Sequence, residues 1–175
     1  MITNIDKRRE MLIAAGVPEK LLSAINEPSE FQDLEFVAKN PEGFYFYLDS
    51  IWQDYEILSG YEVTPIYEGC NSDTYYVLLS NEHEKRFVHF ELEQDEIYDD
   101  YGSNFGLMFA NFLIDYYEFA DEVEIEQLID YGLKMGFKES EKLFRELESA
   151  DNNQLRATFE SDKEWRERNL PEIVA

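Results

Sequence analysis

The stretch Tyr61–Glu93, YEVTPIYEGCNSDTYYVLLSNEHEKRFVHFELE, decides the fold class. It holds three runs rich in β-branched and aromatic residues: Tyr61–Tyr67, Thr74–Leu79 and Arg86–Glu93. Turn-forming clusters separate them, Gly69-Cys70-Asn71-Ser72-Asp73 and Asn81-Glu82-His83-Glu84. Short strands divided by such clusters predict an antiparallel meander. In the last run Val88, Phe90 and Leu92 alternate with Phe87, His89, Glu91 and Glu93. That alternation predicts one apolar and one mixed face. Upstream, Gly43–Leu48 (GFYFYL) is strand-like. Ile51–Leu58 has Trp52, Tyr55 and Leu58 at helical spacing, but Gly60 and Pro65 follow closely.

Helical patterns flank the meander. Residues 4–15 predict an amphipathic helix with Ile5, Leu12 and Ile13 inward, capped at Thr3 or Asn4 and ended by Gly16. Pro18 suits the first position of a helix over 18–26 that buries Leu21, Leu22 and Ile25. A third helix over 30–39 carries Phe31, Leu34, Phe36 and Val37 and stops at Asn40-Pro41. After the sheet, Gln94–Gly102 (QDEIYDDYG) reads as an acidic loop. In 104–119, Phe105, Met108, Phe109, Phe112, Leu113 and Tyr116 recur at helical spacing. Asp121 with Glu124 resembles a capping box for a helix to Met135, with Val123, Leu128, Ile129 and Leu133 inward. Lys138–Ser149 predicts a helix burying Leu143, Phe144 and Leu147, and Ser161-x-x-Glu164 a last one carrying Trp165. The expectation is α+β: an antiparallel sheet flanked by helices, with helical N-terminal and C-terminal segments. A length of 175 residues suits a single domain over 1–175, with a core over 1–120 and a helical extension over 121–175.

Composition bounds the function. The net charge is −24, distributed as −6 over 1–60, −16 over 61–131 and −2 over 132–175. The middle of the chain therefore repels nucleic-acid phosphate and anionic lipid and attracts basic proteins. Acidic surfaces also serve solubility, and that reading has equal weight. The lone cysteine, Cys70, excludes an intrachain disulfide and a thiolate zinc site, and fits a reducing compartment. The charged N-terminus lacks a signal-peptide apolar region, and no apolar run approaches ~20 residues. A cytoplasmic location is expected.

Candidate chemistry is sparse. Cys70 and His89 could act as nucleophile and base, although a lone cysteine is more often inert. His83 or His89 with Glu91 or Glu93 could ligate a metal, but no His-Glu-x-x-His is present. Asp95, Glu96, Asp99 and Asp100 do not follow calcium-loop spacing. Paired carboxylates for glycoside chemistry carry little information among 39 acids. Phosphate-loop, dinucleotide and serine-hydrolase glycine motifs are absent, as are basic–aromatic nucleic-acid motifs. No cofactor and no metal are expected. Interleaving of tyrosines and acids is the more informative pattern. Tyr67, Glu68, Asp73, Tyr75, Glu91, Glu93, Asp95, Glu96, Asp99 and Asp100 are the candidate partner-binding residues. Tyrosine supplies anchoring area, and carboxylates steer a basic partner. The alternative is that the tyrosines line a covered sheet face.

The ordered set of Tyr45 and Tyr47, PIYEGCNSDTYYVLL (Pro65–Leu79), RFVHFELE (Arg86–Glu93) and SNFGLMFANFLIDYYE (Ser103–Glu118) resembles the SUKH superfamily. That superfamily includes cell-wall glucan-synthesis regulators and bacterial immunity proteins. The resemblance implies an α+β fold, no catalysis, and binding of a partner protein, in bacteria often a secreted nuclease or deaminase toxin. A small enzyme using paired carboxylates or Cys70 and His89 is the competing reading.

Overall fold

A computed structural model describes residues 1–41, 47, 55–69, 74–91, 95–120 and 122–175. The protein is α+β: among these residues, a four-stranded antiparallel sheet and seven α-helices, with helices at both ends. The chain forms two compact units, Met1–Phe105 and Gly106–Ala175.

In the first unit, α1 spans Ile5–Ala14, α2 Glu19–Asn26 and α3 Leu34–Val37. The sheet follows: β1 Glu62–Glu68, β2 Thr74–Ser80, β3 Lys85–Glu91 and β4 Glu96–Asp100, paired in that order. The predicted meander is present, and it gains a fourth strand where a loop is expected from the sequence. Ile97 and Tyr98 suit a strand, and pairing with β3 outweighs the low strand preference of Asp99 and Asp100.

Asn4 caps α1, its side chain accepting from Asp6 N, and Gly16 follows at φ 99°. The inward face of α1 differs from expectation: Ile5 and Ile13 are exposed, while Arg8 is buried with Leu12. Arg8 is inward because its guanidinium has acceptors there. Nε donates to Pro65 O (2.7 Å) and Nη2 to Ile66 O (2.6 Å). Helix α2 buries Leu21, Leu22 and Ile25 as expected, with Pro18 as its N-cap. The helix expected over 30–39 is instead a 3-10 turn at Pro28–Glu30 followed by the short α3, and Phe36 is exposed. The Gly43–Leu48 strand falls outside the described residues apart from Tyr47. Of Ile51–Leu58, Tyr55 and a 3-10 turn at Glu56–Leu58 are described.

One sheet face carries Val63, Tyr75, Val77, Leu79, Val88 and Phe90, packed with Leu58 into a core cluster. The opposite face is not the mixed surface expected: Tyr67, Tyr76, Leu78, Phe87 and His89 are buried too. The outer edge of β1 is covered. Ile2 bridges Val63 in parallel, through Thr3 N to Val63 O (2.9 Å) and Val63 N to Met1 O (2.8 Å), and Lys39 pairs with Glu68.

The second unit is helical. Its elements are α4 (Phe105–Phe119, which starts at the boundary), α5 (Ile125–Met135), α6 (Ser140–Asn152) and α7 (Phe159–Ile173). The apolar stripe of α4 is buried as its spacing predicts. In α5, Leu128 and Ile129 are buried, but Leu133 is exposed while Tyr131 and Met135 take inward positions. The capping box expected at Asp121 and Glu124 is not what starts α5. Glu124 is itself the N-cap, without a side-chain cap bond, and Asp121 falls outside the described residues. Helix α7 begins before Ser161, with a capping box of Thr158 and Ser161. Two arginines tie the unit together. Arg156 pairs with Glu118, Asp151 (3.2 Å) and Asp162 (2.6 Å) and lies over the Trp165 ring. Arg166 pairs with Asp115 (3.2 Å), Glu118 (3.1 Å) and Asp162 (2.7 Å). Burial opposes the Arg166 charge, yet these three carboxylates keep its guanidinium above its ordinary value.

Candidate functional site

The candidate site is the β3–β4 end of the sheet. Asp95 sets the entry to β4. It adopts a left-handed backbone (φ 49°), which Asp tolerates better than most residues. Its carboxylate accepts from Glu56 N (3.0 Å) and Ile57 N (3.4 Å), satisfying two donors at the start of a 3-10 turn. Asp95 therefore anchors structure.

Beyond it the register is Glu91↔Glu96, Phe90↔Ile97, His89↔Asp99 and Val88↔Asp100, with an irregularity that places Tyr98 outside the regular pairing. Glu91 and Glu96 are direct cross-strand partners. Like charges directly opposed on neighbouring strands generally destabilise a sheet. Asp100 lies differently, because Arg86 donates to it from Nη2 (2.6 Å) and Nε (3.2 Å), and Gly102 N does so at 2.9 Å. Burial pushes the Asp100 carboxyl up, but the Arg86 and Gly102 bonds outweigh it and hold the group below the usual carboxylate range. The Asp100 bond in turn raises the Arg86 guanidinium above its ordinary value, against desolvation. Asp100 thus has a structural partner.

An aromatic ladder crosses the sheet to the same place. Tyr67 stacks on Tyr76 (4.1 Å, 15°), and Tyr76 on His89 (4.4 Å, 12°). His89 meets Tyr98 at a tilt (5.2 Å). Its inner members are buried, and Tyr98 at the edge is 56% exposed. His89 Nδ1 is 3.1 Å from Asp99 Oδ2, and its buried Nε2 has no hydrogen-bond partner among the described residues.

The ten candidate residues separate accordingly. Tyr67, Glu68 and Tyr75 are interior. Both sheet faces are covered there, so an exposed role for them is corrected to a core position. Tyr67 stacks in the ladder, Tyr75 packs with Phe90 (5.7 Å), and Glu68 exchanges backbone bonds with Lys39. The Glu68 Oε2 is buried with no hydrogen-bond partner among the described residues. Asp73 and Glu93 fall outside the described residues, as does Cys70, so its pairing with His89 is not described. Asp95 and Asp100 are held by internal bonds. Asp99 lies against His89, and Glu91 and Glu96 remain at the sheet corner near the exposed Tyr98. The opposition of Glu91 and Glu96 was not legible in the sequence, because reading 94–102 as a loop gives it no register. Among the described residues, no group of three His, Cys, Asp or Glu side chains could hold a metal. No helix among them is long and apolar enough to cross a membrane. Comparison with known proteins gives no match to a family model, a curated protein or a solved structure.

Proposed function

We propose that this chain is a non-enzymatic protein-binding module that receives a basic partner at the acidic β3–β4 corner. The observation that carries the reading is the Glu91↔Glu96 pair. A like-charged cross-strand pair costs stability in the free protein, and a partner's Lys or Arg between the two carboxylates would remove that cost. Asp99, which also contacts His89, adds a third carboxylate, and the exposed Tyr98 offers rigid anchoring area of the kind enriched at interfaces. The resemblance to SUKH proteins supports the same class of activity. An immunity protein against a nuclease toxin would meet a cleft built to hold phosphate, which is basic.

The test is affinity capture of the partner from the native cells, followed by titration of the purified pair. The expected partner is basic, and its affinity falls at least tenfold between 50 mM and 500 mM salt, because exposed charge pairs are screened. A specific partner that binds equally tightly at both salt concentrations would sink the electrostatic reading.

A further inference from the structure

The sheet treats its two edges differently. β1 is closed by Met1–Thr3 and by Lys39. β4 lies at the other end of the strand order, and among the described residues its backbone bonds run to β3 alone. Residues along β4 alternate between exposed and half-buried. An antiparallel strand directs alternate N–H and C=O groups away from its neighbour, so such an edge is a template for another strand.

Charge narrows the occupant. Within Glu96–Asp100 the ionisable groups other than Tyr98 are all acids: Asp100 pairs with Arg86, Asp99 lies 3.1 Å from His89 Nδ1, and Glu96 has no ion pair among the described residues. A second copy of this chain is a poor occupant, since pairing edge to edge would set carboxylate against carboxylate. An extended segment carrying Lys or Arg at alternate positions meets both requirements, backbone groups and charge. We propose that β4 takes such a basic segment as a fifth strand. This rests on the acidic-corner reading above and adds its geometry: main-chain pairing gives affinity and the acids choose the sequence.

The test uses the full chain and three labelled peptides at 50 mM salt, read by fluorescence anisotropy. The first is (Lys-Val)4. The second is the same peptide N-methylated at two adjacent central residues, which blocks both of its edges. The third is (Asp-Val)4. The expected result is saturable binding of the first, at least tenfold weaker binding of the second and none of the third. Amide exchange on Glu96–Asp100 should also slow when the first peptide is bound. If the methylated peptide binds within twofold of the parent, attraction is by charge alone. Strand addition is then wrong, while the acidic-corner reading stands. Absence of binding by (Lys-Val)4, or slowed exchange confined to other segments, also overturns strand addition. The captured-partner titration decides the acidic-corner reading separately.

Discussion

Arg156→Met is expected to cost the protein about 3 kcal/mol, the lower end of the range for removing one member of a buried ion pair. The Arg156 side chain is 3% exposed and serves Glu118, Asp151 and Asp162 together. Methionine keeps much of the volume, so the loss is of charge and hydrogen bonds rather than packing. Three carboxylates would then face each other, and Arg166 reaches Glu118 and Asp162 but, among the described residues, shows no pair with Asp151. The contact of the guanidinium with Trp165, 5.3 Å from the ring centroid, is also lost. The lower end applies because the carboxylates are partly solvated and water screens some of their repulsion. Urea unfolding of the full chain checks this, with a shifted midpoint and an unchanged slope. Arg145→Met is the control: its partners Glu126 and Glu148 are exposed, and no measurable change is expected.

Gly132→Ala is the second large effect, and its sign opposes helix propensity. Glycine inside a helix costs about 1 kcal/mol relative to alanine, so propensity alone predicts stabilisation. The structure predicts a net loss of about 2 kcal/mol, within the usual range for overpacking. A Cβ on Gly132 would overlap the Ser140 Oγ and sit 3.0 Å from Ser140 Cβ and 3.4 Å from a Leu113 methyl. Ser140 has little room to move, since it is buried and its hydroxyl donates to Ile129 O at 2.9 Å. Ser140→Gly in the same chain should return most of the loss, because it removes the atoms the new methyl meets. Thermal or urea unfolding of the two single variants and the double variant gives the coupling directly.

Gly132 also shows where sequence reading ends. Its reason lies in a serine eight residues away on the next helix, and no local pattern reports that approach. The strands were legible because β-formers and turn clusters alternate over Tyr61–Glu93. The uninterrupted apolar run from Tyr75 to Leu79 was a further signal: strands covered on both faces read this way, and Tyr67 and Tyr75 are indeed buried. β4 was hidden by its acids, which locally favour loops. Arg8 was not among the inward residues expected of α1, because the carbonyls that hold it belong to residues 57 and 58 positions later. In the candidate site, residue types were legible and register was not. Composition marked an acidic, tyrosine-rich segment, but it takes the hydrogen bonds and the strand register to separate Asp95 and Asp100, which have internal partners, from Glu91 and Glu96, which are cross-strand neighbours.

The most direct test of the acidic corner is Glu96→Lys, followed in two readouts. Lysine opposite Glu91 turns a repulsive cross-strand pair into an attractive one. The free protein should become more stable by about 0.5 kcal/mol, within the range for such pairs. The captured partner should bind at least tenfold more weakly, since the same change reverses a charge it meets. Stability raised and binding lost together is the result expected of a surface held for a partner. A variant that is more stable and binds the partner as well as the parent would show that the acids at this corner serve solubility alone.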